Sequence, residues 1–243
     1  MERRLTSWFS PALQKEMPIS FYGHYGFALL LVPTAAADYL EYERFQLIDS
    51  ISPQIEGGQV KVFSIDSINR ESWMNDHMDP RHKSIRHQQW NDYVFQEVVP
   101  FIRTHTSQET PIIVCGASFG ALHSMNIFLK RPDLFQGVIA MSGVYDLTEY
   151  TKSYFDDDVY FNSPLHYMAN LTDHSILEKI RESRHIHLLS GRGAYEDPGA
   201  AGRFARLLYD KGIHYELDLW GPEWPHDWNT WRHMLPQYLS SRF

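Results

Sequence analysis

The chain has 243 residues, 43% of them apolar and 21% charged, and a formal net charge of −8. Size and composition are those of one soluble globular domain with a full core, expected to span residues 1–243. The acidic balance excludes a general nucleic-acid surface, no apolar run reaches membrane-span length, and the one cysteine, Cys115, excludes an internal disulfide. The segment Met1 to Trp8 lacks the apolar stretch of a signal peptide, so the expected location is the cytoplasm.

In chain order, residues 3–10 and 16–23 read as the strands of an antiparallel hairpin that turns at Ser10-Pro11-Ala12-Leu13. Phe27 to Val32 is continuously apolar, the pattern of a strand buried on both faces. Helical spacing covers Tyr39 to Ile51, and Gln59 to Asp66 is the next strand. A longer helix is expected from about Ser84 to His105, bent at Pro100. The β-rich run Pro111 to Cys115, a helical run Ala121 to Lys130 and a strand Gly137 to Met141 follow. Residues 144–170 read as irregular and rich in Tyr, Asp and Asn. They stand where a lid insertion would, or form an added patch of core. A helix near 175–183, a strand His185 to Ser190, a helix over 199–211, a strand His214 to Trp220 and a helix from Asp227 to Leu239 complete the chain. Apolar strands alternating with helices predict an α/β fold: a mostly parallel central sheet, helices on both faces, and an N-terminal antiparallel hairpin. In such sheets ligands bind beyond the carboxyl ends of the strands.

One motif stands at such an end. Gly116-Ala117-Ser118-Phe119-Gly120 reads G-x-S-x-G between a strand and a helix, the setting that pushes a serine hydroxyl out above a sheet. A serine hydroxyl needs a neighbouring base to become a nucleophile. Of thirteen histidines, His226 lies in the loop after the last predicted strand. A third group should hold the imidazole tautomer. After the preceding strand come Glu196 and Asp197; Asp197, followed by Pro198, also has the look of a helix cap, which favours Glu196. The chain order Ser118, acid, His226 is that of α/β-hydrolases. The backbone N–H of Phe119 is one expected oxyanion donor. The other belongs after Val32, where Pro33 has no N–H; of Thr34 and Ala35, Ala35 is preferred.

Other candidates read more plainly. His77, His82 and His87 lie in a polar stretch without a metal-binding pattern and are expected to be solvated. Asp156-Asp157-Asp158 lacks the spacing of a calcium loop and reads as an exposed charged segment. Asp227 suits a cap for the last helix. Thr34, Tyr154, Tyr160 and Trp224 are the candidates for walls of a substrate pocket. No metal or organic cofactor is expected.

Taken together, Glu97 to Ile102, Gly116 to Ala121, Arg131-Pro132-Asp133-Leu134-Phe135, Met141 to Asp146 and His226-Asp227-Trp228 with Trp231 resemble one group. It is the putative-esterase branch of the α/β-hydrolase superfamily, which includes esterase D (S-formylglutathione hydrolase), siderophore esterases and mycolyltransferases. Tyr154 to Asn162 and Leu219-Trp220-Gly221 look closest to a bacterial esterase-domain subgroup of unassigned substrate. The resemblance implies Ser118 as nucleophile and His226 as base. It also implies an acid at the spacing of Gly193-Ala194-Tyr195-Glu196. Many relatives carry His-Gly where this chain has Pro33-Thr34 and three alanines. The expected activity is hydrolysis of a small carboxylic ester or thioester through an acyl-enzyme, with no metal. Acyl transfer by the same triad and a non-catalytic binding role are the competing readings.

Overall fold

Strands that must be apolar on both sides are what a covered sheet demands, and the computed structural model, which describes residues 1–35 and 37–243, shows such a sheet. The strands are β1 Arg3–Ser10, β2 Lys15–Tyr22, β3 Phe27–Val32, β4 Val60–Ile65, β5 Ile112–Ala117, β6 Gly137–Met141, β7 His185–Ser190 and β8 Glu216–Leu219. Among the described residues these eight pair in the order β1-β2-β4-β3-β5-β6-β7-β8. β1 and β2 form the antiparallel hairpin, with Arg3 opposite Tyr22 and Ser10 opposite Lys15. β2 runs antiparallel to β4, and every pairing from β4 to β8 is parallel.

Alternate residues of each central strand serve two cores. In β3, Ala28, Leu30 and Val32 join one apolar cluster, whereas Leu29 and Leu31 join the other. The first face is covered by α4 Pro80–Tyr93, α5 Val99–His105, α6 Phe119–Lys130, α9 His174–Glu182 and α10 Pro198–Asp210. The second is covered by the short helices α1 Glu41–Arg44, α2 Leu47–Ser50 and α3 Ser52–Glu56, together with α11 Trp228–Arg242. Burial of both faces is why the strand signal is an unbroken apolar run.

Several boundaries differ from the sequence reading. The single helix expected over Tyr39–Ile51 is two short ones, α1 and α2, broken at Gln46, whose φ is +62°, and α3 follows from Ser52. The long helix starts earlier than expected, at Pro80, because Asp79 accepts the Arg81 N–H and Pro80 takes the first position. Its irregularity precedes Pro100. A wide π turn over Val94–Val98 joins α4 to α5 and accommodates the missing N–H and the ring of the proline. The stretch 144–170 is not wholly irregular: it holds a 3₁₀ turn, Leu147–Tyr150, and the short helices α7 Asp157–Tyr160 and α8 Pro164–Asn170. Among the described residues no helix is long and apolar enough to cross a membrane.

The sheet order reverses at β3, which is flanked by β4 on one side and β5 on the other. Beyond the carboxyl ends of β3 and β5 lies the crevice that such a reversal opens. Val32 ends one wall of it and Ala117 the other.

Candidate active site

The turn after β5 is held in a shape that few residues tolerate. Ser118 has φ +56° and ψ −123°, a conformation costing a non-glycine residue about 1–3 kcal/mol. Close packing around it over-determines that shape. A side chain at Gly116 would strike the backbone of Gly120, and one at Gly120 would strike the carbonyl oxygens of Val32 and Pro33. The Ser118 N–H donates to the Met141 carbonyl at 2.9 Å. The buried Tyr42 hydroxyl clamps the crevice, donating to the Val32 carbonyl at 2.7 Å and accepting the Ala117 N–H at 3.2 Å. The serine is thereby set at the first turn of α6, where backbone N–H groups lack helical acceptors.

His226 reaches this serine from the loop after β8: its Nε2 is 2.9 Å from Ser118 Oγ. Its other nitrogen, Nδ1, is 3.5 Å from Glu196 Oε2, a carboxylate whose side chain is 1% exposed. Glu196 is in turn held by Ser142 Oγ, which donates to Oε1 at 2.5 Å, and by Ser190 Oγ, which donates to Oε2 at 3.2 Å. Trp231 Nε1 donates to Ser142 Oγ at 2.9 Å, and the same indole meets the His226 ring edge-on at 5.2 Å. Burial by itself would raise the Glu196 pKa. The hydrogen bonds from His226 and Ser142 outweigh it and hold the carboxyl below its ordinary value, so it stays ionised. Asp197 does other work: it caps α10, accepting the Ala200 N–H at 3.1 Å. Asp227 caps α11 in the same way, accepting from Asn229 at 2.8 Å.

The loops carrying Glu196 and His226 are joined by their backbones. Gly193 N–H donates to the Trp224 carbonyl at 3.0 Å and His226 N–H to the Ala194 carbonyl at 2.9 Å. A Cβ on Gly191 or Gly193 would collide with Trp224, which is why the acid's loop can lie this close.

The loop after β3 is fixed from two sides. Glu41, 6% exposed, accepts the Thr34 N–H at 2.9 Å and the Thr34 hydroxyl at 2.6 Å. Its burial raises its pKa despite those two bonds. Asn69 donates Nδ2 to the Ala35 carbonyl at 2.5 Å. With its N–H committed to Glu41, Thr34 is unavailable as an oxyanion donor.

The pocket candidates separate. Tyr154 packs with Ala35, Met74, Val144 and Tyr150 on a buried cluster of Trp73, Phe119, Leu122, Leu147 and Val159, beside the serine turn. Thr34 turns its hydroxyl inward to Glu41. Trp224 supports the acid's loop through its carbonyl, while its ring meets Trp220 and His233. Tyr160 lies elsewhere, on a cavity of about 370 Å³ with Leu129, Lys130 and Tyr167 whose lining includes neither Ser118 nor His226.

Two readings of polar residues need correction. His87 is not solvated; it is 1% exposed and its Nδ1 accepts from Trp73 Nε1 at 2.8 Å. Asp156 is not merely an exposed charge, since it caps α7 and accepts from Ser84 and Tyr154. Residues that the sequence reading missed are Ser142, Ser190, Tyr42, Glu41 and Asn69. Ser142 carried a usable signal, its place just past the carboxyl end of β6. Tyr42 and Asn69 bind groups far off in sequence, Ala117 and His123, and Glu41 and Ser190, though within seven residues of Thr34 and Glu196, match no motif that marks such a contact. Among the described residues no group of three His, Cys, Asp or Glu side chains could hold a metal ion.

Strand order, strained serine turn and two-faced helical cover define an α/β-hydrolase fold. A family model described as "Putative esterase" matches residues 43–242, and the chain belongs to that family of α/β-hydrolases. Solved structures agree on the fold. A ferulic acid esterase is 16% identical with a TM-score of 0.75, over 98% of this chain and 95% of that one. An S-formylglutathione hydrolase from Staphylococcus aureus is 14% identical with a TM-score of 0.71, over 98% and 96%. One from Agrobacterium tumefaciens is 13% identical with a TM-score of 0.72, over 98% and 93%. No curated protein gives a significant match to the sequence.

Proposed function

We propose that the protein is a serine esterase that cleaves a small carboxylic ester or thioester through an acyl-enzyme on Ser118. The observation that carries this reading is the line Ser118 Oγ, His226, Glu196, with gaps of 2.9 and 3.5 Å and the carboxylate buried at its far end. In the proposed cycle Ser118 Oγ attacks the acyl carbon as His226 Nε2 takes its proton. The negative charge that develops on the substrate's former carbonyl oxygen is received by the N–H groups of Phe119 and Ala35. The imidazolium, paired with Glu196, then protonates the leaving alcohol or thiol. Water attacks the acyl-enzyme in the second half, with the same histidine as base. Glu196 keeps the Nδ1–H tautomer, leaving Nε2 free to accept the serine proton. Asp197 is not part of this line because its carboxylate is spent on α10.

The acyl or leaving group is proposed to lie against the apolar cluster around Phe119, where Tyr150 stacks at 4.2 Å and Tyr154 and Met74 pack alongside. The segment Leu147–Val159 thereby contributes a wall of the site, the role expected of a lid position. The test is turnover of p-nitrophenyl acetate together with labelling by a fluorophosphonate. Wild type should react with both, and Ser118→Ala should lose at least about 10⁴-fold in kcat and all labelling. Equal turnover by the two proteins would remove Ser118 from the role.

A further inference from the structure

The two N–H groups assigned above to the oxyanion come from segments far apart in sequence, and a buried bridge joins those segments. Asn69, 2% exposed, sits in the 3₁₀ turn after β4. Its Nδ2 is 2.5 Å from the Ala35 carbonyl and 3.4 Å from that of Thr34. Facing two carbonyls, this atom must be the amide nitrogen, so Oδ1 is the acceptor. Oδ1 lies 3.2 Å from His123 Nε2, which therefore carries the ring proton. Burial holds His123 down to about 3, so the ring is a neutral donor at any working pH. His123 stands on α6 one turn beyond Phe119, and the two rings are 4.4 Å apart.

Resting on the esterase reading of Ser118, we propose that Asn69, oriented by His123, is a positioning residue for the oxyanion hole, fixing the peptide between Thr34 and Ala35 in register with the first turn of α6. The peptide unit is planar and trans, so its C=O and N–H point in opposite directions. The Ala35 N–H shares its peptide with the Thr34 carbonyl, which Asn69 Nδ2 meets at 3.4 Å, while the 2.5 Å bond to the Ala35 carbonyl holds the following peptide. Glu41 holds the preceding peptide by the Thr34 N–H and anchors the Thr34 hydroxyl. With the peptides on both sides tied and its own carbonyl met, the Ala35 N–H has a fixed direction. A donor pre-aimed in this way needs no reorganisation as charge develops, which is the condition for strong transition-state stabilisation. The path from Ala35 through Asn69 and His123 to Phe119 also ties the spacing of the two donors to one rigid helix. Pro33 and Thr34 leave this loop without glycine's freedom, and side-chain bonds to its carbonyls supply the orientation.

The test compares Asn69→Leu, similar in size but unable to bond, with wild type, each normalised by fluorophosphonate active-site titration. The readouts are kcat and KM for p-nitrophenyl acetate and inhibition by phenylboronic acid, whose serine adduct is tetrahedral. We expect kcat to fall about 10- to 100-fold with KM within about twofold, and boronate affinity to weaken by a similar factor. Unchanged kcat and boronate affinity per titrated site would overturn the proposal, as would a loss confined to KM. Should Asn69→Leu not fold, His123→Gln, which keeps a donor to Asn69, is compared with His123→Leu. Retention of kcat by the first and loss by the second supports the proposal, and equal behaviour refutes it. Failure of the esterase reading is separately visible: wild type would then neither label nor lose activity on Ser118→Ala.

Discussion

The two halves of the site are built from different chemistry. On one side, the loops after β6, β7 and β8 surround a buried ionised carboxylate, Glu196, with three side-chain partners: His226, Ser142 and Ser190. On the other, the loop after β3 and the first turn of α6 carry the two backbone N–H groups proposed for the oxyanion, and the neutral pair Asn69 and His123 lies between them. The first half is tuned by charge and is sensitive to pH and to single partners. The second depends on geometry alone. A charge can be held by a few strong bonds, whereas a backbone dipole is useful only if its peptide is immobilised.

Breaking the charged half should have the largest effect. Glu196→Gln is expected to lower kcat about 10³- to 10⁴-fold while leaving KM within severalfold, because glutamine cannot hold the productive tautomer. A pH signature accompanies it. The Glu196 carboxyl lies below its ordinary value of 4.5 in the fold, so its stabilising contribution is complete above that value and drains as the pH falls through the lower folded one. The stability gap between wild type and Glu196→Gln, followed by urea unfolding, should therefore narrow below about pH 4.5. A constant gap from pH 7 to 3 would mean that the carboxylate gains nothing from its partners.

A smaller loss sharpens the comparison. Ser142→Ala removes a charge-assisted bond to Oε1 and leaves the Trp231 N–H without its acceptor. An effect of about 10- to 100-fold on kcat is expected from a bond to a charged group worth roughly 1.5–3 kcal/mol. Steady-state kinetics at fixed pH checks it, and a change in KM alone would count against it. The smallest effect is expected next door. Asp197→Ala should leave kcat unchanged and cost about 1 kcal/mol of stability through the lost cap on α10. A fall in kcat of the size expected for Glu196→Gln would reverse the assignment of the two neighbours.

Legibility in the sequence followed the same division. The sheet could be read because strands buried on both faces leave uninterrupted apolar runs, as in Phe27–Val32. Ser118 could be read because its strand-to-helix setting is local. That Asp197 caps α10 was legible through the proline after it, a cap signal contained in two residues. Asn69 and His123 were not legible. They are ordinary residues on a turn and a helix, and their meaning arises only where β4 and α6 meet. The break at Gln46 was hidden for a similar reason: apolar spacing from Tyr39 to Ile51 is satisfied by two short helices as well as by one. His87 misled because its polar neighbours in sequence say nothing of Trp73, which covers it.

The backbone ladder between the loops after β7 and β8 has a dynamic consequence. Glu196 and His226 ride on one stapled cassette, since the Gly193 to Trp224 and His226 to Ala194 bonds cross directly between their carriers. Two backbone bonds between the carriers make the imidazole and carboxylate a unit that would shift together relative to Ser118, so in the proposed cycle product could leave without the pair being dismantled.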